Sequence, residues 1–185
     1  MSKRHVLTAV ALAGTVFVMS PIKGDDKSVE KFHAKLTGFN EIGALTAPTG
    51  AILSGGTATV DVELDKTAQT ASYTLTIGPG LSSAVTQSHI HFGKVHVAGG
   101  IMVYFCSNLT SPPPGTPACP TPSGTVTGSW TAASVVLNAQ NVTPGDFNAL
   151  VEALESDTAY ANLHTTKWPA GEIRGQLRRE KGGDE

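Results

Sequence analysis

From Phe32 onward, apolar and polar residues trade places at nearly every position over short stretches, the period of a strand with one buried face. FHAKL (32–36) puts Phe32, Ala34 and Leu36 on one side and His33 and Lys35 on the other. TATVDVEL (57–64) turns Ala58, Val60, Val62 and Leu64 inward, and ASYTLTI (71–77) does the same with Tyr73, Leu75 and Ile77. The polar DKTAQT between these two predicts a hairpin. Further strands are expected at 85–92, 101–106, 124–131, 134–139, 158–165 and 172–177. Many short strands with Gly- and Pro-rich turns predict an all-β fold, an antiparallel β-sandwich or barrel.

One segment leaves this period. TPGDFNALVEALESD (143–157) carries Phe147, Leu150, Val151 and Leu154 at helical spacing. Thr143 is the expected N-cap, Pro144 suits the first helical position, and Asp146 completes a variant capping box. The pattern predicts one short amphipathic helix before the last hairpin, its apolar stripe covering an edge or end of the sheet. In that hairpin, AYANLHT places Tyr160, Asn162 and His164 on one face. After the Pro-Ala-Gly turn, EIRGQL sets Glu172, Arg174 and Gln176 on one face of the partner strand.

The chain has 185 residues, 40% hydrophobic and 15% charged, with a formal net charge of −2. That suits one globular domain and excludes a broad phosphate-binding surface, so nucleic acid is not an expected partner. Neither a Gly-x-Ser-x-Gly elbow nor a phosphate-cradling glycine loop is present. Lys3 and Arg4 precede an apolar run, VLTAVALAGTVFVM, too short for an ordinary membrane span and typical of a signal-peptide core. The expected layout is a signal peptide at 1–24, a linker at 25–31, the domain at 32–178 and a charged tail at 179–185. No membrane span is expected in the mature form. The two cysteines, Cys106 and Cys119, bracket a proline-rich loop. In an oxidising compartment they close it as a disulfide; the competing reading is a pair of zinc thiolates. Asn108-Leu-Thr110 and Asn141-Val-Thr143 are sequons, meaningful only in a eukaryotic secretory pathway.

Three of six histidines stand in SHIHFGKVHVAGG (88–100). His89 and His91, two apart on a strand, point the same way and offer half of a transition-metal site for Fe, Mn, Cu or Zn. His164 is placed to supply a third nitrogen, and Glu172, or less favourably Glu41, a carboxylate. Arg174 is placed to orient that carboxylate or to draw an anion toward the metal. The opposing reading is that the histidines only pack and hydrogen-bond. His96 and His33 read as surface residues, and Trp168 as a packing lid over the hairpin.

FHAKLTGFNE, SHIHFG, DFNALVEALES and ANLHTTKWPAGEIRGQL together resemble the CHRD-domain family, named for the module repeated in chordin. The resemblance spans 32–178 and implies an all-β, extracytoplasmic module. Within its pattern His89, His91, His164, Glu172 and Arg174 fall on characteristic positions. His96 and the SPPPGTPACP insert depart from it. Two functions are expected. One is a secreted metalloprotein acting on a small-molecule substrate, with superoxide dismutation the most economical reaction. The other is a non-catalytic extracellular module that binds a protein or glycan.

Overall fold

A computed structural model describes residues 29–42 and 50–181. The described residues form nine strands in a single antiparallel sheet. They are β1 (Val29–Thr37), β2 (Thr57–Asp65), β3 (Thr70–Ile77), β4 (Val85–Phe92), β5 (Gly100–Ser107), β6 (Gly124–Trp130), β7 (Ala159–Thr165), β8 (Ile173–Gln176) and β9 (Arg178–Arg179). Strand order is β5-β4-β7-β8-β1-β2-β3-β6, with β9 also paired to β1. The sheet curls into a nearly closed barrel. Its two ends are joined by side chains instead of a ladder: Trp130 Nε1 donates to Tyr104 O at 2.7 Å, and the Tyr73 hydroxyl donates to Phe105 O at 2.7 Å. Tyr73 stacks on Trp130 with ring centroids 4.4 Å apart, filling the seam.

The alternation read from the sequence is the barrel's inside–outside alternation. Phe32, Ala34 and Leu36 join Val60, Val62, Leu64, Leu75 and Ile77 in the core, and β2 pairs β3 through the expected hairpin. Strand β7 differs because it is buried at every position. Its Ala159, Ala161 and Leu163 belong to the apolar core. Tyr160, Asn162 and His164 point to the other face, where Gly99 of the segment following β4 meets Tyr160, Glu41 and Gly171 meet Asn162, and the Pro169 carbonyl meets His164. The functional candidates lie on this covered outer face.

Two expectations need correction. Residues 134–139 are not a strand: Ala132–Ser134 form a 3₁₀ turn. Beyond it the chain touches β5 through Val136 N to Met102 O at 2.9 Å, then bends as Gln140 N finds Asn138 Oδ1. Helix α1 is Phe147–Glu155, shorter than 143–157, and its N-cap is Asp146, whose side chain accepts from Ala149 N. Pro144 and Gly145 instead form a turn closed by Asp146 N to Thr143 O, and Gly145 at φ +87 cannot be helical. Strand β1 starts at Val29 and β9 ends at Arg179. The expected signal peptide (1–24) lies outside the described residues. Among the described residues no helix is long and apolar enough to cross a membrane. Cys106 and Cys119 are joined as a disulfide, which removes the thiolate reading.

Candidate metal centre

Strand β4 lies between β5 and β7, so its outward residues meet partners on both sides. His89 stands opposite Tyr104 of β5 and Asn162 of β7; His91 stands opposite Ile101 and Tyr160; Gln87 stands opposite His164. The β4–β5 register shifts between Ser88 and His89 and again between Ile90 and His91. Such bulges bend a strand and re-aim its side chains. Here they flank the two histidines.

The three imidazoles converge. His89 and His91 have ring centroids 4.5 Å apart, and His89 and His164 4.6 Å. One nitrogen from each of His89, His91 and His164 lies within 4.8 Å of the others. Tetrahedral or trigonal metal–nitrogen bonds of 2.0–2.1 Å require nitrogens about 3.4 Å apart, so modest ring rotations close the site.

The hydrogen bonds fix which nitrogens are available. His91 Nδ1 lies 2.7 Å from Gly99 O and His164 Nδ1 2.9 Å from Pro169 O. A carbonyl only accepts, so both Nδ1 atoms carry the proton and both Nε2 atoms keep a lone pair. His164 Nε2 is buried without a partner, as are both ring nitrogens of His89, whose exposure is 0%. All three imidazoles are held neutral. Burial, reinforced by His164 and His91, puts His89 well below its ordinary pKa. Burial outweighs the Gly99 hydrogen bond at His91 and lowers it to about 4. Burial lowers His164 too, against its bond to Pro169. Neutral imidazoles with free Nε2 lone pairs are what a transition metal binds.

The remaining candidates do not converge on this point. Glu172, expected as a carboxylate ligand, is fully buried and stands outside the trihistidine group. Its Oε1 accepts from the Ser54 hydroxyl at 2.6 Å and Ser82 N at 2.7 Å, and its Oε2 from the Thr165 hydroxyl at 2.6 Å. It ties two loops to β7. Thr165 and His164 are consecutive on that strand and face opposite ways. Glu41 accepts from Asn162 Nδ2 at 2.5 Å and from Ile42 N at 2.9 Å, and it too stands outside the group.

Arg174, expected to guide an anion, has its guanidinium 3.3 Å over the Tyr160 ring. Tyr160 in turn stacks on His91 at 4.7 Å, with 4° between planes. An aromatic ring therefore separates Arg174 from the imidazoles. Its Nη2 donates to Lys94 O at 3.1 Å and Val97 O at 2.9 Å, pinning the segment whose Gly99 carbonyl orients His91. Gln176 Nε2 adds a bond to Gly93 O at 3.0 Å. Alternation places Tyr160 and Asn162 on this face, but their residue types in that spacing mark no role. The Gly99 and Pro169 carbonyls carried no signal, because backbone acceptors have no residue type.

His96 is exposed, in a turn closed by Val97 N to Lys94 O, and stays apart from the cluster as expected. His33 is partly exposed and bonds Asp61 Oδ1 at 2.7 Å, with Glu180 nearby. Trp168 is partly covered and its indole reaches Ser82 Oγ at 3.3 Å.

Comparison with known proteins adds a family but no close relative. No curated protein and no solved structure matches the chain. The profile of the CHRD domain matches residues 32–177, almost the whole described region. With that match spanning the barrel and every residue of the covered face described above, the chain belongs to the CHRD-domain family.

Proposed function

We propose that this CHRD domain is an extracellular-type metalloprotein that binds one transition-metal ion through His89, His91 and His164. The observation that carries the reading is the set of buried ring nitrogens without partners: both nitrogens of His89, one a lone pair and one an N–H, and Nε2 of His164. An unsatisfied buried polar atom costs about 1–3 kcal/mol. Three of them together approach the net stability of a typical domain, about 5–15 kcal/mol. Histidines serving only to pack would have their nitrogens hydrogen-bonded. A water molecule satisfies some of these atoms, whereas a cation uses one lone pair from each ring at once.

The donor set favours copper, then zinc, over iron or manganese. It is all imidazole, with both carboxylate candidates committed elsewhere, and nitrogen sites follow the order that peaks at copper. Bound copper would supply one-electron exchange. His91 is the one ligand that is partly exposed, so only small species reach the site. Superoxide dismutation suits this opening: two superoxide ions and two protons give dioxygen and hydrogen peroxide. The disulfide and the N-terminal apolar run support an exported location for this work.

Thermal unfolding with added Zn(II) or Cu(II), followed by a superoxide-consumption assay on the copper-loaded full chain, tests the reading. Metal at about a thousand times its Kd stabilises a folded site by about 4 kcal/mol. His164→Ala should abolish that gain and any superoxide consumption above that of free copper. Metal binding without superoxide consumption removes the dismutase reading and leaves a binding or storage role.

A further inference from the structure

A metal-bound imidazole places its second ring N–H on an acceptor, which fixes its tautomer and raises its basicity as a ligand. His91 has Gly99 O for this purpose and His164 has Pro169 O. His89 has no such partner. With 0% exposure and both ring nitrogens unbonded, it cannot turn to bulk water either.

Across the β4–β7 ladder, directly opposite His89, stands Asn162, 2% exposed, with its Oδ1 also buried and unpartnered. Paired residues on one face of an antiparallel sheet have Cβ atoms about 4.5–5.5 Å apart, a span that an imidazole N–H and an amide oxygen can bridge. The amide cannot be turned the other way. Its Nδ2 meets Glu41 Oε2 at 2.5 Å, and an ionised carboxylate only accepts; a flipped amide would set two acceptors against each other. Glu41 is itself held by Ile42 N on its other oxygen. Gly171 makes room for the pair. A Cβ there would lie 2.5 Å from Glu41 Oε2 and 2.8 Å from Asn162 Nδ2.

We infer that Asn162 is the positioning residue for His89: its Oδ1 takes the His89 ring N–H, Glu41 dictates that orientation from behind, and the other His89 nitrogen is turned toward His91 and His164. This rests on the metal reading above. One ring movement then answers the unpartnered Asn162 oxygen and one unpartnered nitrogen of His89, while the second nitrogen takes the metal. The carboxylate behind the amide strengthens Oδ1 as an acceptor through a polarised hydrogen-bond chain.

The test uses the full chain with Co(II) as a spectroscopic probe and Zn(II) for affinity by competition. Asn162→Leu should lower Zn(II) affinity about 10- to 100-fold and shift the Co(II) absorption bands. Glu41→Gln should give a smaller loss of the same kind. The double variant should lose no more than Asn162→Leu alone, because the inferred route from Glu41 to the metal runs through Asn162. A merely structural pair predicts losses of stability with an unmoved Co(II) spectrum and unchanged Zn(II) affinity. Wild-type affinity and spectrum in Asn162→Leu would overturn the inference and leave the metal reading standing. A wild-type chain that takes up neither ion overturns both. If Asn162→Leu does not fold, Glu41→Gln decides: an unchanged spectrum and affinity count against the inference, and a loss of affinity supports it.

Discussion

Replacing Glu172 with glutamine separates a structural carboxylate from a ligand. The wild-type side chain is fully buried and receives the Ser54 hydroxyl, Ser82 N and the Thr165 hydroxyl at 2.6–2.7 Å. Hydrogen bonds to a charged group contribute about 1.5–3 kcal/mol each. Glutamine keeps one oxygen for Ser54 and Ser82, loses the charge, and presents an NH₂ group to Thr165, whose own proton then has no acceptor. Glu172→Gln should therefore destabilise the fold by about 2–4 kcal/mol at pH 7, shifting the urea midpoint by about 1–2 M. The effect should depend on pH. Burial alone would raise this carboxyl; the bonds from Ser54, Thr165 and Ser82 together outweigh it and hold it below the ordinary 4.5. A carboxyl depressed on folding stabilises the protein above its unfolded pKa and loses that contribution as pH falls through the folded value. The gap between wild type and Glu172→Gln should thus be widest at neutral pH and narrow below about pH 4.5. Metal content per folded chain should not change. A variant of wild-type stability that has lost its metal would refute this reasoning and return Glu172 to the ligand set.

Gly171→Ala should cost about 2–4 kcal/mol, read as a fall in Tm, because Gly171 has φ +126 and an added Cβ meets Glu41 and Asn162. Cys106→Ser/Cys119→Ser should lose about 3 kcal/mol in urea unfolding, as expected for a cross-link spanning 13 residues. The metal-free protein should lose stability as pH falls from about 6.5 toward 4. There the unfolded chain takes protons that buried His91, lowered to about 4, refuses; that group alone is worth about 3 kcal/mol, and bound metal should protect against the loss. Arg174→Lys keeps the charge but loses the planar guanidinium that stacks on Tyr160 while its Nη2 reaches the Lys94 and Val97 carbonyls. Amide exchange in residues 93–99 should quicken and metal affinity should fall, whereas a pure steering role predicts little change.

The barrel was legible because its physics is periodic. Ala58, Val60, Val62 and Leu64 all reach the core that their alternation predicts, and the His-x-His spacing was enough to put two imidazoles on one face. What was not legible depends on distant partners. Residues 134–139 carry the apolar run Val135–Val136–Leu137 expected of a strand, but Asn138 and Gln140 bond locally and bend the chain away from a ladder. Thr143 looked like an N-cap until Pro144 and Gly145 formed their own turn, leaving Asp146 to cap the helix. Glu172 and His164 both sit on motif positions, yet Ser54 and Ser82, far off in sequence, claim the carboxylate. Arg174 is adjacent to the site in sequence logic and separated from it in space by Tyr160, a stacking that no linear pattern encodes.

Elemental analysis of the purified full chain, beside His89→Ala/His91→Ala, bears most directly on the trihistidine centre. Close to one copper or zinc per wild-type chain is expected, and none in the double variant. Wild-type protein that carries no metal, and whose Tm does not move when either ion is added, would contradict it.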